Sequence, residues 1–377
     1  MRSAKMTIIG CGLVGGSVAL AIQTRRPDLK LACLDLPDRL PAIREAGVAA
    51  EVGTLDDMAQ HLPESALVLL AAPVLANLEL LARIAPHLEP GAIVTDVSST
   101  KAQIMARAQE TLPAEVHFIG GHPIAGSERS GVEAADPLLF SGRVYALCPL
   151  AHTPAGALLS LIDLAEDILA VPLTIDAEEH DRIMAMLSHL PQVVAVALMH
   201  AALEADGTHG MLDVLAGRAF LDLTRIAASD FQMWKGILAT NSEAISDSLD
   251  RFEASLSMLR NALAAGENPA LWERASLRRR KMGLDSLPRM RKHDLRSLID
   301  RYDNQLLSAL ANRMRTARRI GQLKTSRGSP VHDPARERRM MEPRAEWARS
   351  LGLPQDLVDE LFAVIVRHST RIQMPPD

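Results

Sequence analysis

Gly10-Cys11-Gly12-Leu13-Val14-Gly15-Gly16-Ser17 follows the short apolar run Met6-Thr7-Ile8-Ile9 and opens a segment, 15–25, of helical composition. A Gly-x-Gly-x-x-Gly run alone is a weak signal. Its context gives it weight: a strand before it, a helix after it, and Asp35 closing the next predicted strand, 30–35. Gly10 allows the tight turn, Gly12 lets a pyrophosphate approach the backbone, and Gly15 lets helix and strand pack closely. The helix start offers free N–H groups and a partial positive charge to phosphate. Asp35 can hydrogen-bond adenosine ribose hydroxyls and would repel a 2′-phosphate, so NAD is expected rather than NADP. Leu13, Val14, and the Ala72-Pro73 step after a predicted strand at 67–72 are assigned to the same cofactor site.

Working outward, the first 176 residues alternate strand and helix. Strands are expected at 6–10, 30–35, 67–72, 92–96, 116–119, 143–148 and 171–175, with a helix near 155–169. This alternation predicts a mostly parallel, doubly wound α/β sheet of Rossmann type. After Asp176 the sequence changes to long Ala/Leu/Met segments, 178–190, 192–205, 231–241 and 245–265, which predict an all-α domain. A charged stretch, Arg278 to Pro288, is expected to break the helices and precede a second all-α domain. The expected division is 1–176, 177–280, a linker at 281–289, and 290–377.

Hydrophobic residues make up 48% of the 377 and aromatic ones only 3%, so the cores are built from aliphatic side chains. The most apolar stretch, Ala66 to Ala82, is broken by Pro73, Asn77 and Glu79, so no membrane span is expected. Cys11, Cys33 and Cys148 form neither a disulfide framework nor a metal knuckle. Met1 to Lys5 leads directly into a strand, and a cytoplasmic enzyme is expected. From Pro288 onward 18 basic side chains stand against 11 acidic ones, whereas the whole chain has 41 against 46. A basic tail can signal nucleic acid. Here no aromatic residues interleave the cations as a base-stacking platform requires, so no nucleic-acid partner is expected.

The tail has a different peculiarity. From Leu295 to Lys324 it has the period of one long amphipathic helix, with Leu295, Ile299, Leu306, Leu310, Met314 and Ile320 on one side. Arg296, Arg313 and Lys324 fall on that same side. Asp333, Arg336 and Glu337 follow, then Ser369 and Gln373, one helical turn apart. Cations on an apolar stripe cost several kcal/mol unless an anion meets them, so the missing partner is a small polyanion. These eight polar positions, with Ile320-Gly321-x-x-Lys324 and Pro330-Val-x-Asp333-x-x-Arg336-Glu337, resemble the all-helical class of chorismate mutase. The resemblance implies that Arg296, Arg313, Arg336 and Ser369 hold carboxylates, and that Lys324 and Gln373 donate to the ether oxygen. Glu337 and Asp333 would take the ring hydroxyl. It also implies that Arg296 reaches a partner's site in an intertwined dimer.

Two loops at predicted strand ends carry the remaining chemistry: Thr95-Asp96-Val97-Ser98-Ser99-Thr100-Lys101 and Gly120-Gly121-His122-Pro123-Ile124-Ala125-Gly126-Ser127-Glu128. In a doubly wound sheet ligands bind outside such ends, and His122 is expected on a rigid turn. With His180-Asp181-Arg182, Ser188-His189-Leu190-Pro191 and Phe220-x-Asp222-x-Thr224-Arg225, these loops resemble the prephenate and arogenate dehydrogenase family. The resemblance implies that His122 is the catalytic group on the ring hydroxyl, with Ser99 beside it, and that Arg225 binds a carboxylate. Ser127, Ser188, Gln192 and Asp222 are the further substrate-binding candidates. Many prephenate-specific members carry His where this chain has Gln192, which keeps arogenate open as an alternative substrate.

One resemblance makes prephenate and the other consumes it. The expectation is a homodimeric, bifunctional enzyme of tyrosine biosynthesis, using chorismate, prephenate and NAD, with no metal. Any inhibition by tyrosine would have to act within these domains.

Overall fold

The computed structural model describes residues 5–125, 129–207, 210–264, 269–281 and 354–373. It also describes Asp303, Leu306, Leu310, Arg313, Met314, Ala317, Arg318, Ile320, Gly321 and Lys324. The chain divides into two compact units, Met1–Leu295 and Arg296–Asp377.

The first unit is built on eight strands: β1 (Lys5–Ile9), β2 (Lys30–Asp35), β3 (Glu51–Thr54), β4 (Ser65–Leu70), β5 (Ile93–Asp96), β6 (His117–Pro123), β7 (Val144–Cys148) and β8 (Val171–Thr174). Their order is β3-β2-β1-β4-β5-β6-β7-β8. Every pairing is parallel except β6 with β7. The strand order reverses direction beside β1 and β4, and this is where a doubly wound sheet opens its ligand crevice. β3 went unseen in the sequence because Glu51-Val52-Gly53-Thr54 is short and mostly polar, as suits an edge strand.

Two apolar layers clamp the sheet. Helix Leu13–Arg25 and helix Ala155–Asp167 cover one face around Ile8, Val18, Ile22, Leu161 and Phe140. Helices Val74–Ile84 and Ala102–Thr111 cover the other around Leu34, Leu70, Leu81 and Ile104. The apolar stretch 66–82 therefore resolves into β4 and a helix, parted at Pro73, which cannot donate to a ladder and suits a helix start.

Beyond β8 the unit is helical. Ala177–Asp206 runs as 30 consecutive helical residues, where the sequence suggested two helices broken at Pro191. Pro191 sits in the first turn of Leu190–Asp206, where its missing N–H costs nothing, and a π-helical turn, Ala185–His189, joins the two parts. This helix is long and apolar enough to cross a membrane by composition alone. However, it buries His180, Asp181 and Gln192 and accepts hydrogen bonds from Lys101 and Ala102 of the sheet domain. Phe231–Thr240, Ser242–Ala264 and Pro269–Lys281 follow. Of the stretch expected to break the helices, Arg278, Arg279, Arg280 and Lys281 form the last helical turn, where cations favour the carbonyl end of the dipole, and 282–288 lie outside the described residues.

In the second unit all ten described positions from Asp303 to Lys324 are helical, as the period predicts, and Gln355–Gln373 is a second helix.

Helix Leu13–Arg25 meets the sheet through Gly15, where an added Cβ would stand 2.0 Å from the Gly10 carbonyl oxygen. Gly15→Ala should lower stability by about 1–3 kcal/mol, the usual cost of overpacking. Denaturant unfolding of the full chain checks this, and an unchanged midpoint would contradict the packing.

Candidate functional site

The cofactor end is assembled from the loops after β1, β2 and β4. Gly10 has φ +95°, and a Cβ there would lie 2.7 Å from the backbone of Ala71 and Ala72, so only glycine lets these strand ends meet. Above Gly12 an added Cβ would meet nothing within 4 Å, leaving room for a phosphate. Gly12 caps the helix with no side-chain bond, and no acid stands in the first turn. The N–H groups of Leu13, Val14 and Gly15 thus lack intrahelical partners and carry the positive end of the dipole. Asp35 is 5% exposed. Its Oδ2 accepts from the Cys11 N–H at 2.6 Å and its Oδ1 from the Leu36 N–H at 2.7 Å. Each oxygen keeps a second lone pair for a ribose hydroxyl. The Ala72 carbonyl is held by the Asn77 amide at 2.9 Å, and exposed Pro73 starts the next helix. The loops carrying Gly10, Gly12, Leu13, Val14, Gly15, Asp35, Ala72 and Pro73 thus meet at the ends of β1, β2 and β4, and the open glycine, free N–H groups and fixed carboxylate fit a dinucleotide.

His122 lies at the next strand end, but not on a turn. It belongs to β6, which pairs with β5 as far as Ile119 and then, from Gly120, with β7, placing His122 opposite Ala146. Gly121 permits this: an added Cβ would stand 2.4 Å from the Asp96 carbonyl. His122 is 8% exposed. Its Nδ1 lies 2.9 Å from His180 Nε2, and His180 Nδ1 lies 2.8 Å from Asp181 Oδ1. Burial, reinforced by His180, Lys101 and His189, holds the His122 imidazole well below its usual pKa, in the neutral form.

A buried ion pair supports these groups. Lys101 Nζ bonds Asp96 Oδ2 and donates to the Gly121 carbonyl at 2.7 Å. Asp96 also accepts from the N–H groups of Ser98 (2.9 Å) and Gly121 (3.0 Å). Asp181 accepts from the N–H groups of Lys101 (2.7 Å) and Ala102 (2.8 Å). Asn241 donates to the Asp181 carbonyl at 2.8 Å and contacts His189 Nδ1 at 3.2 Å. His189 is fully buried, which lowers its pKa to about 4.

The other sequence-derived positions divide. Ser99 sits half-buried in the loop after β5, between buried Ser98 and Thr100. Ser188 lies in the π-helical turn, and Gln192 is buried in the first turn after it. Arg225 is exposed at the start of a short 3-10 helix, Arg225–Ala228. Asp222, also exposed, pairs with Arg218 at 3.6 Å. Ser127 lies outside the described residues. Sequence alone assigns no role to His180, Asp181, Asn241 or Lys101. Their contacts with His122 and its supports cross 20 to 80 residues of chain, and no local spacing reports such contacts.

In the second unit Leu310, Arg313, Met314, Ala317, Gly321 and Lys324 are buried or half-buried, whereas Leu306 and Ile320, expected on the same apolar side, are exposed, as are Asp303 and Arg318. Arg313 and Lys324 stand eleven positions apart, about three full turns, so they share one inward stripe. The Arg313 guanidinium bonds Ser369 Oγ, and Ser369 donates to the Ile365 carbonyl at 2.7 Å. Two sequence-derived positions 56 residues apart are thereby in contact. Arg296, Asp333, Arg336 and Glu337 lie outside the described residues, as does the side chain of Gln373.

Three family models match successive parts of the chain. Residues 18–173 match the prephenate dehydrogenase nucleotide-binding domain, 176–276 the prephenate dehydrogenase dimerization domain, and 295–374 chorismate mutase type II. A prephenate dehydrogenase of Bacillus subtilis is 33% identical over 80% of this chain and 81% of that protein. A cyclohexadienyl dehydrogenase of Zymomonas mobilis is 35% identical over 71% of this chain and 91% of its own length. The crystal structure of prephenate dehydrogenase from A. aeolicus, in complex with hydroxyphenyl propionate and NAD+, superposes with a TM-score of 0.70. It shares 29% identity over 76% of this chain and 99% of that one. With a nucleotide-binding fold, a helical second domain and a mutase-like tail in the same order, the chain belongs to the prephenate dehydrogenase family and carries a chorismate mutase type II domain after it.

Proposed function

We propose that the two halves act in succession on one metabolite: chorismate is rearranged to prephenate in the C-terminal unit, and prephenate is oxidatively decarboxylated in the first. The observation that carries the dehydrogenase half is a buried, neutral His122 on the strand beside a crevice that fits a dinucleotide. NAD+, when bound, supplies the hydride acceptor. His122 accepts the proton of the ring hydroxyl as the C–H bond on that carbon breaks, the ring carboxylate leaves as CO₂, and 4-hydroxyphenylpyruvate results. Ser99 hydrogen-bonds the hydroxyl, Arg225 takes a carboxylate, and Ser127, Ser188, Gln192 and Asp222 shape the pocket. The dual-substrate alternative is supported by Gln192, a neutral residue, and by the cyclohexadienyl dehydrogenase relative. Supplying arogenate in place of prephenate decides between them.

The mutase half needs no proton transfer, because the rearrangement is pericyclic. Arg296, Arg313, Arg336 and Ser369 clamp carboxylates in the reactive conformer. Lys324 and Gln373 stabilise charge on the ether oxygen as its bond to carbon breaks, while Glu337 and Asp333 hold the ring hydroxyl. This role is supported by the Arg313–Ser369 contact and by Lys324 on the same stripe.

The division 1–176, 177–280, 281–289 and 290–377 is part of this proposal, as is a cytoplasmic homodimer. The dimerization-domain match and a set of leucines left open on the helices, Leu187, Leu215 and Leu223 at 68%, 71% and 65% exposure, support the dimer.

Three outcomes test these assignments. Asp35→Ala should weaken NAD use and relax discrimination against NADP while chorismate rearrangement continues; equal NAD and NADP rates in the parent enzyme would sink the assignment. Lys324→Ala should cut mutase kcat by about 10²–10³ and spare prephenate oxidation, with His122→Asn doing the reverse; crossed effects in folded variants contradict two separate sites. Protonated His122 cannot accept a proton, and its pKa is held well below 6.5. The dehydrogenase kcat/KM should therefore stay level from pH 8 down to 6.5 and fall only below it. A His122-dependent inflection at or above pH 6.5 would show that the ring is not desolvated as described.

A further inference from the structure

Among the described residues His122 has one hydrogen-bonding partner, and that partner is a second histidine rather than a carboxylate. The direction of the proton along the chain His122–His180–Asp181 follows from its far end. An ionised Asp181 can only accept. Its Oδ1 already takes the Lys101 N–H and its Oδ2 the Ala102 N–H, so the carboxylate is locked at the head of helix Ala102–Thr111. It must therefore receive N–H from His180 Nδ1. A neutral His180 then has a bare Nε2, which can only accept, and His122 must present N–H from Nδ1. The lone pair of His122 is left on Nε2, the one nitrogen of the ring that no described residue engages and that is not among the buried unpaired atoms.

We propose that His180 and Asp181 are positioning residues that fix His122 as its Nδ1–H tautomer and so aim a bare Nε2 at the substrate hydroxyl. This rests on the assignment of His122 as base, and it adds what makes that base competent. The opposite tautomer would present N–H to the hydroxyl and could not accept its proton. Burial and the neighbouring His180, Lys101 and His189 disfavour a cation on the His122 ring, which therefore holds one ring proton and one lone pair. Asn241, which donates to the Asp181 carbonyl, ties the same segment to helix Phe231–Thr240. The two rings meet edge to face, 74° between planes and 5.1 Å between centroids, so His180 also blocks rotation of the His122 ring.

The test uses the full-length protein. With ¹⁵N-labelled histidine, and the His122 signals identified by their loss in His122→Asn, the wild type at pH 8 should show a protonated Nδ1 and a bare Nε2. A protonated Nε2 on His122, or an imidazolium at His180, overturns the proposal. His180→Phe removes the acceptor and should lower dehydrogenase kcat on the order of 10²-fold, with KM little changed. His180→Gln should recover most of that loss, since its amide can donate to Asp181 while its oxygen accepts from His122. Full activity in His180→Phe, or a Gln variant no better than Phe, also overturns it. Should the Phe variant fail to fold, judged by NAD binding and unfolding, the tautomer of the wild type still decides. Undiminished activity in His122→Asn removes the base assignment itself. Collapse in His122→Asn beside full activity in His180→Phe removes only the positioning role.

Discussion

An ammonium and a carboxylate with no exposed side-chain surface, Lys101 and Asp96, hold the catalytic end of the first unit together. Burying two charges is costly, and the cost is met only when every remaining lone pair and proton is also used. Asp96 closes β5, accepts from the loop that follows it, and accepts from β6. Lys101 donates to β6 and, through its backbone, to Asp181. Four segments are thereby fixed to each other at the edge of the crevice. Removal of either partner of such a pair strands a buried charge, typically at about 3–5 kcal/mol. The loop bearing Ser99 and the strand bearing His122 therefore cannot shift independently.

Much of this was written locally. Glycines at 10, 12 and 15, with Asp35 ending the next strand, fixed the crevice, because each role is a matter of backbone clearance within one βαβ unit. Arg313 and Lys324 were legible because helical period alone puts them on one face with Leu310 and Met314, though Leu306 and Ile320, read onto the same face, are exposed. The position of His122 was legible as to chemistry but not as to structure. Gly-Gly-His-Pro has turn composition, and nothing in it says that Gly121 is needed for the approach of the Asp96 carbonyl. The partners of His122 were illegible for another reason. The His180 contact crosses 58 residues, and a His-Asp pair near a helix start looks like any other until the helix is docked.

The two units solve opposite electrostatic problems. Around His122 desolvation keeps the imidazole neutral, while Lys101 pairs with Asp96 and the Asp181 carboxylate is held by backbone N–H groups. In the C-terminal unit two cations, Arg313 and Lys324, are half-buried on one helix, and the Arg313 guanidinium bonds the Ser369 hydroxyl. Cationic side chains drawn inward suit a pocket that must recognise a dianion by charge. Neither arrangement would serve the other reaction, which gives a physical reason for two units on one chain.

The change of partner along β6 has a consequence for redesign. Because side chains alternate across a sheet, a slip of one residue would send His122 to the opposite face and bring Gly121 into its place. The strand is held in register by parallel pairing on one half and antiparallel pairing on the other. The His122 imidazole is thus carried by the scaffold itself. Changes are more readily accommodated at exposed positions such as Arg225 or in the turn bearing Ser188 than by lengthening the segment around His122, where an insertion would break the ladder to β7.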